Sequence, residues 1–134
     1  MLINQATNQD RFFDDSAKAK AFFQANIAHF DREVFAYAFL TTQHQLIAFE
    51  VLFMGTINAC NVHQREIIKR SLELNASALI IGHNHPSGKA EPSRGDAMLT
   101  KGVKEALRIV DIDLLDPIIV THRDGYSFAD NGRI

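Results

Sequence analysis

A single α/β domain built around a mixed β-sheet is the fold class this sequence predicts. Three observations carry the prediction. The chain holds short apolar runs of strand length, two of which read as a hairpin. Stretches of helical period separate the later runs. No internal repeat, low-complexity segment or linker divides residues 1–134. A chain of 134 residues is one ordinary domain, able to bury a core without staples.

Residues 1–13 read as a loose lead-in. Asp14, Asp15 and Ser16 then offer capping groups and favourable charge for a helix start. Ala19, Phe22, Phe23 and Ile27 follow at helical spacing, predicting an amphipathic helix over 17–29. Residues 34–40 are apolar throughout and aromatic-rich, as in a strand buried on both faces. The polar stretch 41–45 turns the chain, and 46–53 returns as the second strand of a hairpin. Residues 55–63 read as irregular. A short helix over 65–75 places Ile67, Ile68 and Leu72 on one face, and 78–82 reads as a central strand. A polar loop with two prolines spans 86–92, and Ser93 opens a helix to about residue 110. Strands at 114–120 and 126–128, with a turn at Arg123-Asp124-Gly125, complete the domain.

The apolar fraction of 46% and charged fraction of 22% are those of a soluble globular protein. A net charge of -2 gives no support to nucleic-acid binding, which leaves a basic stripe. Arg65, Lys69 and Arg70 form a small basic cluster that reads as a solvated helix face. The phenylalanines read as core rather than as a platform for bases. The lone cysteine, Cys60, builds neither a disulfide framework nor a cysteine-rich zinc module. The first residues lack the pattern of a signal peptide, and no apolar run approaches membrane-spanning length. A cytoplasmic protein without membrane association is the expectation.

The chemistry concentrates in residues 81–96. Residues two apart in a strand share a face, so His83 and His85 can meet one ion while Asn84 points away. Pro86 stops the strand just beyond them, at the kind of strand end where α/β sheets bind ligands. Ser93 as N-cap puts Asp96 in the first helical turn, on the face shared by Leu99, Val103, Leu107 and Val110. A carboxylate aimed at the core is costly unless a charge or metal meets it. Two imidazoles and one carboxylate suit zinc, with a fourth position for water, the mark of a catalytic site. Such a site needs a general base and a donor to the developing oxyanion. Ser93 suits the second role, because capping uses its oxygen as acceptor and spares its proton. The base stays open by spacing alone among Glu33, Glu50, Glu66, Glu73 and Glu91. The same residues also admit a plainer reading, with Ser93 and Asp96 a capping arrangement only and both histidines ordinary polar residues at a strand end.

His83-x-His85 followed, after ten intervening residues, by Asp96, with Ser93 three residues before it, resembles the JAMM signature of JAB/MPN metalloproteases. His83-Asn84-His85-Pro86-Ser87-Gly88 with Glu91-Pro92-Ser93 resembles the RadC branch in particular. So do Gly55-Thr56-Ile57-Asn58, Arg65-Glu66-Ile67, Leu115-Asp116 before Ile118-Ile119-Val120, and Tyr126-Ser127-Phe128. The resemblance spans roughly residues 30 to 130 and implies a JAB/MPN-like, cytidine-deaminase-like fold with helices flanking a mixed sheet. It also implies a zinc-dependent peptidase or isopeptidase. Zn2+ would be held by His83, His85 and Asp96, with Ser93 on the oxyanion side. The family's upstream glutamate, general base toward the activated water, matches Glu33 in Arg32-Glu33-Val34-Phe35; Glu50 is the fallback. The implied substrate is a peptide or protein conjugate of open identity, and oligomeric state is open.

Two departures stand out. RadC proteins carry a further N-terminal helical region for which this chain is too short, so it resembles the JAB domain standing alone. Gln64 stands where many relatives have proline, which changes how the second helix starts. Two other functions compete with hydrolysis: a DNA-repair-associated or nucleic-acid-linked protein, and a non-catalytic interaction domain that retains metal.

Overall fold

Apolar side chains on both faces place strand β1 (Val34–Leu40) mid-sheet, and all seven of its residues are buried. The computed structural model describes residues 11–53 and 64–134. It pairs β1 antiparallel with β2 (Leu46–Phe53) on one side and with β3 (Ala78–Asn84) on the other. β3 runs parallel to β4 (Asp113–Val120), and β5 (Gly125–Ser127) pairs antiparallel with β4. The order across this mixed five-stranded sheet is β2-β1-β3-β4-β5. Helices α1 (Ser16–Ile27), α2 (Gln64–Glu73) and α3 (Arg94–Ile109) flank it.

The period of two in each strand sorts the core into two layers. On one face, Phe22, Phe23 and Ile27 of α1 pack with Val34, Ala36, Ile80 and Ile118. On the other, Ile67 of α2 and Leu99, Val103 and Leu107 of α3 pack with Phe35, Phe39 and Ile81. Asp15 caps α1 by accepting the Lys18 N–H at 2.8 Å.

The expected α/β domain is present, with element ends displaced by one or two residues. β3 continues past residue 82 because its pairing with β4 holds to Asn84↔Val120. β5 begins one residue earlier than expected, leaving Phe128 beyond its end but buried. Two expectations fail. The lead-in is not loose at its end: Phe13 is buried, and its N–H bonds the His44 carbonyl at 2.9 Å. Leu72 does not share the inner face of α2, being 56% exposed. The inner ridge runs instead through Ile67 and Ser71, four residues apart, where the Ser71 hydroxyl donates to the Ile67 carbonyl at 2.6 Å. That bond satisfies the hydroxyl and lets a polar residue take an inner position. The stretch expected to be irregular, 55–63, lies outside the described residues. No helix among the described residues is long and apolar enough to cross a membrane.

At Gly82 the Phe23 ring of α1 packs directly against the backbone of β3. A methyl group there would lie 2.2 Å from Cδ2 of the buried Phe23 ring. Gly82→Ala is therefore expected to destabilise the domain by about 1–3 kcal/mol through overpacking. Denaturant unfolding measures this, and an unchanged midpoint would mean the ring has room to move.

Asp116 on β4 is buried, accepting the Ser127 hydroxyl and, at 3.0 Å, the Ala129 N–H. Burial pushes its carboxyl above the usual range, and these hydrogen bonds only partly oppose it. The folded protein thus binds this proton more tightly than the unfolded chain does. The group's contribution to stability grows as pH falls through the raised folded value toward the unfolded value of about 4. Wild-type protein should gain stability relative to Asp116→Asn between about pH 7 and about pH 4. Parallel stability–pH curves for the two proteins would contradict this.

Candidate metal centre

His83 occupies the α3 side of β3, where the Phe35 ring stacks on it at 4.8 Å with 26° between planes. The stack fixes the imidazole plane in a site that leaves it 6% exposed. The His85 N–H bonds the Val120 carbonyl at 3.0 Å, so the ladder geometry persists past Asn84 and returns His85 to the face of His83. Beyond Pro86 the chain turns sharply. The Gly88 N–H reaches back to the His85 carbonyl at 3.0 Å, with Gly88 at φ 89°, a conformation that favours glycine. The turn brings the Lys89 carbonyl to 2.9 Å from His85 Nδ1. A carbonyl only accepts, so Nδ1 carries the hydrogen and Nε2 is turned inward.

Helix α3 delivers the carboxylate. Ser93 is its N-cap, and the capping box is reciprocal: the Asp96 N–H donates to Ser93 Oγ at 3.0 Å, and the Ser93 N–H donates to Asp96 Oδ2 at 2.8 Å. The same carboxylate meets both imidazoles. His83 Nε2 lies 3.0 Å from Oδ1, His85 Nε2 lies 3.3 Å from Oδ2, and the two Nε2 atoms are 3.1 Å apart. Capping and convergence on the histidines, alternatives in the sequence, are both realised in one residue.

Glu33 completes the group. It immediately precedes β1, and Phe35 pairs with His83. Continuing that register two residues sets Glu33 across from His85. Ligand atoms of Glu33, His83, His85 and Asp96 all lie within 4.8 Å of one another, an arrangement that could hold a metal ion. It is the one such group of three or more among the described residues.

The charge balance of the group favours a cation. With Nδ1 of His85 protonated, a neutral ring presents a lone pair at Nε2 toward a carboxylate oxygen and a second imidazole. Such facing lone pairs repel unless a proton or a metal ion lies among them. The hydrogen bond to Asp96 accordingly raises the affinity of His85 for a proton, against the opposing effect of burial. Burial works to raise the Asp96 carboxyl, but hydrogen bonds from His83, His85 and the Ser93 backbone outweigh it, holding the group far below the usual carboxylate range. A carboxylate held toward its ionised form beside two imidazoles is a donor set that fits a divalent transition metal.

The other candidate bases are elsewhere. Glu50 on β2 accepts Arg70 Nε at 2.8 Å and Nη2 at 2.7 Å, an ion pair between sheet and α2. Glu73 lies 3.8 Å from the same guanidinium, and Glu66 and Glu91 are exposed. Arg70 is thus part of a salt bridge rather than a free basic cluster. Ser93 is exposed at the helix start with its oxygen engaged by Asp96 N–H. His122 lies beside the turn after the histidines: its Cε1 is 3.4 Å from where a Gly88 Cβ would be.

Asn84 is the residue the sequence reading passed over. It does point away from the histidines, but onto the backbone that leads into β1: Oδ1 accepts the Val34 N–H at 2.7 Å, and Nδ2 donates to the Arg32 carbonyl at 2.9 Å and the Phe30 carbonyl at 3.2 Å. Its placement between the histidines was the one available signal, because a buried asparagine requires partners for both ends of its amide.

Comparison with known proteins agrees with this architecture. The family model described as RadC-like JAB domain matches residues 13–133. A UPF0758 protein of Methylibium petroleiphilum is 49% identical over 124 residues, which are 92% of this chain and 56% of that protein. The UPF0758 protein of Coxiella burnetii is 49% identical over 85% of this chain and 51% of its own length. That of Pseudomonas syringae pv. tomato is 43% identical over 96% of this chain and 57% of its own length. The chain spans about half the length of these curated relatives. With a family model covering nearly all of the described structure, and relatives this similar across most of the sequence, the chain belongs to the RadC-like JAB domain family.

Proposed function

We propose that this domain is a zinc-dependent hydrolase that cleaves a peptide or isopeptide bond. The observation that carries the reading is the convergence of Glu33 on His83, His85 and Asp96, since a carboxylate beside a three-donor set is what water-activated hydrolysis requires. A zinc ion held by His83, His85 and Asp96 would supply Lewis acidity, lowering the pKa of a water to about 7 and polarising a carbonyl.

The chain's own groups perform the proton transfers. Glu33 accepts a proton from the attacking water as its oxygen bonds to the carbonyl carbon. The Ser93 hydroxyl, whose oxygen already accepts from the helix, turns its hydrogen toward the oxyanion. When the carbon–nitrogen bond breaks, Glu33 passes its proton to the leaving amine. Glu33 suits this shuttle better than Glu50, whose carboxylate is neutralised by Arg70. Phe35 and the Lys89 carbonyl hold the two imidazoles in place, as partners of metal-binding histidines do.

Metal analysis of protein purified without added metal, followed by profiling on peptide and isopeptide libraries, tests the reading. Stoichiometric zinc with cleavage of some member is expected; zinc without cleavage of any would favour a domain that keeps its ion for binding alone. Glu33→Gln should retain zinc and lose hydrolysis by about 10²–10⁴-fold, the usual range for a general base. Wild-type turnover in that variant would reassign the base. His83→Ala and Asp96→Ala should each release zinc at micromolar protein, as measured by equilibrium competition with a chelator. Full occupancy in either variant would remove that residue from the ligand set.

A further inference from the structure

We infer that Asn84 is the positioning residue for Glu33, fastening the candidate base to the strand that carries both histidines. The inference rests on the proposed role of Glu33 and concerns how the fold places it.

Regular pairing between β1 and β3 ends at Phe35↔His83. Glu33 lies two residues outside that ladder, in the segment that joins α1 to β1. Sheet hydrogen bonds therefore do not reach it from β3. The Asn84 side chain takes over where they stop. Its amide, in a residue 1% exposed, meets the chain on both sides of Glu33: Val34 N–H after it, and the carbonyls of Arg32 and Phe30 before it. The residues joined are fifty positions apart in sequence, so this is tertiary anchoring rather than a local turn.

The chemistry of the anchor is specific to a carboxamide. One N–H must be accepted and two carbonyls must be donated to, all from a single short side chain. Aspartate has no donor for the carbonyls, leucine has neither function, and serine is too short to bridge all three. Histidines on either side of Asn84 reach the opposite face, so the same three-residue stretch aims the ligands and fixes the base. Placement within a fraction of an ångström is what a shared site demands, and a displacement of about 1 Å is enough to cost on the order of 10²-fold in rate.

The test reads placement through metal affinity and needs no substrate. Glu33→His puts an imidazole at position 33, where it can serve as a fourth protein donor. With Asn84 intact, this variant is expected to bind Co2+ about tenfold more tightly than wild type. Adding Asn84→Ser should cancel that gain, while Asn84→Ser alone keeps Co2+ affinity within about threefold of wild type, because His83, His85 and Asp96 are untouched. General loss of structure would lower both affinities together and so would not reproduce this pattern. Should Asn84→Ser not fold, Asn84→Asp keeps the acceptor for Val34 N–H, drops both donors and is expected to cancel the gain likewise. Persistence of the tenfold gain in the double variant overturns the positioning role while leaving Glu33 beside the ion. No gain from Glu33→His with Asn84 intact removes position 33 from the site, and with it both the base assignment and the anchor.

Discussion

The Asp96 carboxylate is the interaction on which the rest of the site depends. One of its oxygens closes the capping box of α3, and the two together face His83 and His85. A buried carboxylate is costly in isolation. Here the cost is offset from both directions, by the positive end of a helix and by two imidazoles. The helix start and the candidate metal centre are therefore one object. Substituting Asp96 takes away a cap as well as a donor, whereas substituting Ser93 takes away a cap and leaves the donor.

β3 organises everything around that carboxylate through simple alternation. His83, and His85 beyond the strand's end, serve the face toward α3. Gly82 and Asn84 serve the face toward α1, the first by allowing Phe23 to approach and the second by holding the start of β1. No residue of this stretch is spare. The single parallel pairing of the sheet, between β3 and β4, carries α3 across one face and brings its N-terminus to the histidines.

Much of this was legible in the sequence, for identifiable reasons. Strand and helix periods gave the elements because both faces of the sheet are covered, so apolar patterning is strong in 34–40, 78–82 and 99–107. The histidine pair was readable because strand alternation is rigid, and Asp96 because its helical spacing from Leu99 and Val103 aims it inward. Glu33 was readable only through family resemblance. Its approach depends on the register between β1 and β3, which local pattern does not encode. Asn84 was missed for a related reason: its partners are backbone groups fifty residues away, and backbone carries no sequence signature. Leu72 misled because Ser71 satisfies its own hydroxyl within the helix and so takes an inner position that polarity alone would deny it.

The two halves of the site differ sharply in how far along the chain they must be gathered. His83, His85 and Asp96 come from a single strand–loop–helix unit, closed by a loop short enough to carry little entropic penalty. Glu33 arrives from the far side of a long excursion and is joined by tertiary bonds alone. Assembly of the donor trio is thus a local event, whereas arrival of the fourth group reports that the first strand has docked. On the proposed reading, the three metal donors can gather before the candidate base joins them, so hydrolysis would await completion of the whole sheet.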